Sequence, residues 1–160
     1  MIKLLSHIDV QPLLVEYFRL EKDIQWTDYR NKKQTGLQFK DAEDPWDSSV
    51  GKSKGDELSY TNLNIFFKDT IFEKIINKYN LVRTRLMWVS PMTCYSMHTD
   101  STPRIHIPMI TNPECYFVFK NGIVQHMAAD AVYWTDTTQP HTFMNCSTNP
   151  RLHLIGVVEQ

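Results

Sequence analysis

Along this chain the spacing of apolar residues changes once, near residue 80. Before that point it is helical. In residues 10–20 (VQPLLVEYFRL), Leu13, Leu14, Tyr17, Phe18 and Leu20 fall at i, i+1, i+4, i+5 steps, with Pro12 suited to a first helical turn. Residues 69–79 (DTIFEKIINKY) place Ile71, Phe72, Ile75, Ile76 and Tyr79 on one stripe behind Asp69, a residue that can cap. From residue 81 the period becomes two and the runs shorten: LVRTRLMWVS, RIHIPMI, CYFVFK, IVQHM, VYW and RLHLIGVV, separated by turn formers. Two helices followed by six or more short strands predict an α+β, mainly β fold: a double-stranded β-helix, the jelly roll of the cupin type, with flanking N-terminal helices. Residues 31–57, rich in Lys, Asp, Ser, Gly and Gln, predict a long loop of the kind that serves as a lid.

Composition narrows the class without changing this picture. The 160 residues, 42% of them hydrophobic, suit one domain, with a helical and loop front half (1–80) and a β core (81–160). Seventeen basic and eighteen acidic residues give a formal net charge of −1, and neither sign forms a long block, which argues against a nucleic-acid or membrane-surface partner. No apolar run approaches a signal peptide or a membrane span, so a cytoplasmic location is expected. Cys94, Cys115 and Cys146 are odd in number and far apart, and reduced, mostly buried thiols are expected of them.

The candidate chemistry lies in the last 63 residues. His98 and Asp100, two apart, project to one face of an extended segment, and His141, after Gln139-Pro140, must reach the same point from another strand. Two imidazoles and one carboxylate that leave other metal positions open suit non-haem Fe(II). Arg151, ten residues past His141, offers a guanidinium fork for the far carboxylate of a bidentate 2-oxo acid. Arg104 and His106 share a strand face, as do Arg151 and His153. On the outside of a barrel these four would be ordinary solvated positions. Inside it they would need a bound anion and a metal to offset their burial, and the nearby H-x-D and His141 favour the inside.

The segments HTD, RIHIP, YWTDTTQPHTFMN and RLHLIGVV, between His98 and Glu159, resemble the aspartyl/asparaginyl and proline β-hydroxylase group of 2-oxoglutarate- and Fe(II)-dependent oxygenases. The resemblance implies His98, Asp100 and His141 as iron ligands and Arg151 as anchor of the distal carboxylate of 2-oxoglutarate. It also implies that Arg104 and His106 contact the oxo acid. The animal aspartyl hydroxylases of the group have glycine where Asp100 stands, so this chain looks closer to the bacterial hydroxylases of free amino acids in the group, or to the wider dioxygenase superfamily. Asp100 also argues against a halogenase. The implied reaction consumes 2-oxoglutarate and dioxygen, releases succinate and carbon dioxide, and hydroxylates an amino acid, free or within a peptide or protein.

Sequence proximity suggests Trp88, Tyr95, Trp134 and Phe143 as walls of a substrate pocket, although such aromatics more often form barrel core. Asp136 and Asn145, flanking His141, are candidates for the pocket and for orienting the ligand imidazoles, with turn formation as the simpler role. Trp26, Tyr29 and Trp46 lie where a lid would arise, and Arg83 and Arg85 are candidate anchors for a substrate. His7 and His126 lack partners at ligand spacing and are expected to be satisfied or surface residues. Two other functions share the pattern: a cupin-like enzyme using another metal, which needs no Arg151, and a silent binding module, which needs none of the four residues.

Overall fold

A computed structural model describes residues 1–28, 32–41, 44–47 and 56–158. Tyr29 and much of the polar 31–57 segment therefore lie outside the described residues. In chain order the strands and helices are β1 (Ile2–His7), α1 (Gln11–Leu20), β2 (Thr27–Asp28), β3 (Lys32–Gly36), β4 (Gln38–Phe39), β5 (Asn62–Leu63), α2 (Ile71–Tyr79), β6 (Val82–Val89), β7 (Thr93–Cys94), β8 (Arg104–Ile110), β9 (Cys115–Phe119), β10 (Val124–Gln125), β11 (Ala131–Thr135), β12 (His141–Asn145) and β13 (Arg151–Val157). A seven-stranded sheet runs β1-β11-β8-β13-β6-β3-β2, and a four-stranded sheet runs β10-β9-β12-β7. All their pairings are antiparallel. This is the mainly β jelly roll that the period-two runs predict.

The large sheet is buried on both faces, and residue parity decides which face each side chain meets. Leu86, Ile105, Ile107, Val132, Leu152 and Leu154 point to the helices, where Leu13, Tyr17, Phe72, Ile75 and Ile76 complete one core. The intervening residues point into the barrel, towards a second cluster of Val89, Cys115, Phe117, Phe119, Met127 and Phe143. Each fully buried aliphatic or aromatic side chain contributes about 1.5–3 kcal/mol. The two clusters therefore clamp the sheet from opposite sides.

Both helices form where the apolar spacing places them, with differences at their edges. In α1 the buried stripe is Leu13, Tyr17 and Leu20, and Phe18 faces solvent. In α2 the N-cap is Thr70 rather than Asp69, which adopts φ +61° and whose N–H donates to Glu73 Oε2 at 2.6 Å. Asn80 ends α2 in the left-handed conformation.

The front half holds more strand than the sequence pattern suggests. β1 forms an edge of the large sheet while leaving Leu4 and Leu5 exposed, so no clean alternation marks it. β3, polar throughout, pairs with β6 through its backbone, so part of the expected loop is sheet. Gly36 donates its N–H to the Trp46 carbonyl, and a Cβ there would meet the Asp47 carbonyl oxygen at 2.9 Å. That close approach seats Trp46 against Phe66 and Phe67, and Trp26 likewise packs on the helix-side core. Cys115 alone meets the expectation of a buried thiol, since Cys94 and Cys146 are exposed. No helix among the described residues is long and apolar enough to cross a membrane.

Candidate metal centre and its anion pocket

His98 follows β7 and pairs with His141, the first residue of β12. Asp100 is fixed next to them because its N–H donates to the Thr137 carbonyl at 2.9 Å. One ligand atom from each of His98, Asp100 and His141 lies within 4.8 Å of the other two, a spacing that a single cation can bridge. Both imidazoles are oriented by backbone: Nδ1 of His98 sits 2.8 Å from the Ser96 carbonyl, and Nδ1 of His141 sits 2.9 Å from that of Gln139. A proton on each Nδ1 leaves Nε2 as the free electron pair, the tautomer a metal requires. The orienting partners are thus two carbonyls, each two residues before its histidine, in place of the expected Asp136 or Asn145. Phe117 stacks on the His141 ring, 4.9 Å between centroids and 14° between planes. Burial pushes the His141 imidazole below its usual range, which favours the neutral form.

From this cluster a cavity of about 130 Å³ runs into the barrel, lined among others by Arg85, Tyr95, Arg104, His106, Phe143 and Arg151. Arg151 is buried, and its guanidinium lies 3.7 Å from the centroid of the Phe143 ring, with one Nη donating to His153 Nδ1. Its Nε has no hydrogen-bond partner. Arg85 is buried too, with one long bond of 3.3 Å to Gln34 Oε1 and its Nε unpartnered. Among the described residues neither guanidinium has a carboxylate partner. Burial pushes both down to about 9, with repulsion from Arg83 and Arg104 adding to the effect at Arg85. Since arginine keeps its proton, such a shift marks a buried charge that lacks a counter-anion.

His106 lines the same cavity. Burial, then the charges of Arg151 and Arg104, hold it well below the usual imidazole range, and neither ring nitrogen has a partner. A neutral imidazole with an uncommitted N–H and an uncommitted lone pair is ready to meet a ligand oxygen. Two buried cations and these orphaned polar atoms fit a small polyanion, and the H-x-D…H donor set fits Fe(II).

Arg104 lines the cavity, as the resemblance implies, and is also engaged within the protein. Its Nη2 lies 2.6 Å from Glu57 Oε1 and 3.4 Å from Asp100 Oδ1, and its Nη1 donates to the Thr102 carbonyl and hydroxyl. Both Nη nitrogens are engaged within the protein.

Four residues expected near the substrate sit elsewhere. Trp88 and Trp134 have the opposite parity from Arg85 and Tyr133 and face the helix-side core, where Trp88 Nε1–H donates to Tyr17 Oη at 3.0 Å. Asp136 donates its N–H to the Met1 carbonyl and accepts from Thr138 Oγ1, away from the cavity. Asn145 points inward but at the far end of the barrel, its amide donating to the carbonyls of Val89, Ser90 and Asn149. Tyr95 and Phe143 do line the cavity, as do Met87, Phe117, Thr137 and Ile155, which the sequence reading passed over. Parity with Arg85 along β6 and with Arg151 along β13 could have found Met87 and Ile155, whereas Phe117 on β9 enters as the cross-strand partner of Phe143 on β12.

Solved structures share this architecture at low identity. An oxidoreductase of the 2OG-Fe(II) oxygenase family from Burkholderia pseudomallei matches with TM-score 0.60 and 13% identity over 98% of this chain and 82% of its own. A Pseudomonas putida prolyl-4-hydroxylase matches with TM-score 0.54 and 13% identity, over 98% of this chain and 90% of its own. The non-haem α-ketoglutarate-dependent epimerase SnoN of nogalamycin biosynthesis matches with TM-score 0.55 and 12% identity, over 92% and 71%. The family model described as aspartyl/asparaginyl β-hydroxylase matches residues 14–160, nearly the whole chain and all of the cluster above. The chain belongs to the aspartyl/asparaginyl β-hydroxylase family, and is an enzyme of the 2-oxoglutarate- and Fe(II)-dependent oxygenase class.

Proposed function

We propose that this enzyme hydroxylates a C–H bond of a small carboxylate-bearing amino acid, free or at an accessible site in a peptide, with 2-oxoglutarate and dioxygen as co-substrates. His98, Asp100 and His141 hold Fe(II) through the two Nε2 atoms and one carboxylate oxygen. Arg151 takes the distal carboxylate of 2-oxoglutarate. When bound, iron and the oxo acid supply the oxidising chemistry: one oxygen atom leaves in succinate as carbon dioxide is released, and the other enters the substrate C–H bond.

The protein's part is placement and exclusion. His106, kept neutral, donates an N–H to an oxygen of the oxo acid without adding charge. Arg85 and Arg151 both line the cavity, and neither has a carboxylate partner among the described residues. Two such cations suit two anions, with the second carboxylate, the substrate's, at Arg85. Phe117, Phe143 and Ile155 keep the space between them apolar and poor in water.

The observation that carries this reading is the buried Arg151 guanidinium, without a carboxylate partner among the described residues, in the cavity whose lining includes His98, His141 and Asp100. A metalloenzyme working without an oxo acid would leave that charge uncompensated. Anaerobic titration of the protein with Fe(II) and 2-oxoglutarate tests it through the visible charge-transfer band of the chelated oxo acid. The band is expected in wild type and lost in Arg151→Ala; a folded wild type that gives no band would overturn the proposal.

A further inference from the structure

Glu57 is an acidic residue from the polar front segment, yet it is only 4% exposed. Its Oε1 accepts from Arg83 Nη1 and, at 2.6 Å, from Arg104 Nη2, and its Oε2 accepts from Thr102 Oγ1 at 2.5 Å. The network continues to the metal cluster. Arg104 Nη2 lies 3.4 Å from Asp100 Oδ1, the Thr102 carbonyl accepts from Thr137 Oγ1 at 2.7 Å, and the Thr137 carbonyl accepts the Asp100 N–H. A single carboxylate thus meets two guanidiniums and the turn that carries Asp100.

We infer that Glu57 is a positioning residue for the metal centre, holding Arg104 off Asp100 so that the aspartate keeps its oxygens for the cation. This rests on the proposed roles of His98, Asp100 and His141. Arg104 is shared unequally between two carboxylates, and the shorter contact is to Glu57. A guanidinium in a low-dielectric site is strongly stabilised by a carboxylate within reach. If the charge of Glu57 is removed, Asp100 is the remaining carboxylate in reach among the described residues, and Arg104 closes on it. Asp100 then meets a competing cation, and a divalent metal must displace a charged hydrogen bond to bind. The same arrangement gives Arg104 a carboxylate partner, whereas Arg85 and Arg151 bond only to the neutral Gln34 and His153 side chains among the described residues. Among the described residues, Arg83 and Arg104 of the four buried arginines pair with Glu57, and Arg85 and Arg151 have no carboxylate partner and are left for ligands.

The test is a double-mutant cycle read by Mn(II) affinity, with free Mn(II) counted from its paramagnetic resonance signal in the absence of oxo acid. Glu57→Gln keeps the shape and loses the charge, and it should weaken Mn(II) binding about 10–100-fold, the range for partners that orient a metal ligand. In an Arg104→Met background the same change should alter affinity by less than about twofold, because Glu57 acts through Arg104. Wild-type affinity in Glu57→Gln, or losses that multiply in the double variant as for a purely structural role, would overturn the inference. If Glu57→Gln does not fold by circular dichroism, Thr102→Val removes one donor to the same carboxylate. It should weaken Mn(II) binding by a smaller factor, and unchanged binding would count against Glu57. Failure of the wild-type chain to bind Mn(II) would instead remove the metal-site reading beneath it.

Discussion

His98 and His141 are partners in an isolated antiparallel bridge, each N–H donating to the other's carbonyl at 2.9 Å, which brings their ring centroids to 4.4 Å. The backbone bond, not the side chains, thus sets the spacing of the two imidazoles. His98 is exposed and Asp100 half-buried, so neither supports the core. Replacing either with alanine should weaken Fe(II) binding beyond the roughly 100-fold reached by loss of an orienting partner and abolish turnover. The thermal midpoint should change little. Turnover within tenfold of wild type in both variants, by succinate release, would dismiss the assignment.

Arg151 should be irreplaceable by lysine. An ammonium keeps the charge but cannot present two parallel N–H donors. A charge-assisted hydrogen bond contributes about 1.5–3 kcal/mol, so Arg151→Lys should raise the KM for 2-oxoglutarate by about tenfold to 100-fold. An unchanged KM would move the clamp to another residue.

Arg85 and Arg151 are pushed to about 9 by burial, so the ligand-free protein carries uncompensated charge. A dicarboxylate at 100 times its dissociation constant should stabilise the fold by about 2.7 kcal/mol, a rise of roughly 5–10 °C in the thermal midpoint. Arg151→Met should lose that rise while being at least as stable as wild type without ligand. Differential scanning fluorimetry decides it, and a full ligand shift in Arg151→Met would contradict the proposed clamp.

Acid should weaken the fold through His106 and His153. Burial first, then the Arg151 charge, holds both well below the ordinary imidazole value of about 6.5. The unfolded chain takes up their protons near pH 6.5 and the native chain does not. Their contribution is therefore complete above that pH and falls below it, by up to about 1.4 kcal/mol per pH unit for each histidine. Urea midpoints at pH 7.5 and 5.5 should show the difference, and equal or greater stability at 5.5 would refute it.

Trp88 should matter to stability and not to the oxo acid. Trp88→Phe removes the bond to Tyr17 and should cost about 1 kcal/mol in urea unfolding, with the KM for 2-oxoglutarate unchanged. A KM raised tenfold would put Trp88 in the cavity after all.

What could be read from the sequence, and what could not, divides along parity and edges. The turn from helical spacing to a period of two near residue 80 was visible, because α1, α2, β6, β8 and β13 each bury a regular face. The grouping of His98, Asp100 and His141 in space was legible because the H-x-D spacing puts two ligand types on one face and the resemblance supplies His141 as the third. Trp88 and Trp134 misled because closeness in sequence stood in for parity: Trp88 is one residue from Met87, and one residue reverses the face. β1 and β3 were hidden for different reasons. The first leaves leucines in solvent, and the second is polar and held by backbone pairing. Glu57 could not be picked from a polar stretch, since its burial follows from Arg83 and Arg104, 26 and 47 residues away.

The large sheet is one strand thick between the helix-side core and the cavity. On β8 and β13 a core residue alternates with a cavity residue, Ile105 beside His106 and Leu152 beside Arg151. Those strands have no neutral positions. A methyl group gained or lost behind the sheet shifts the backbone that aims Arg151 and His106, so drift in the core is drift in the active site. New substrate preferences should therefore arise on the opposite wall, in the four-stranded sheet and the turns around His98, where Tyr116, Val118 and Met144 face outward and leave the backbone room to adjust.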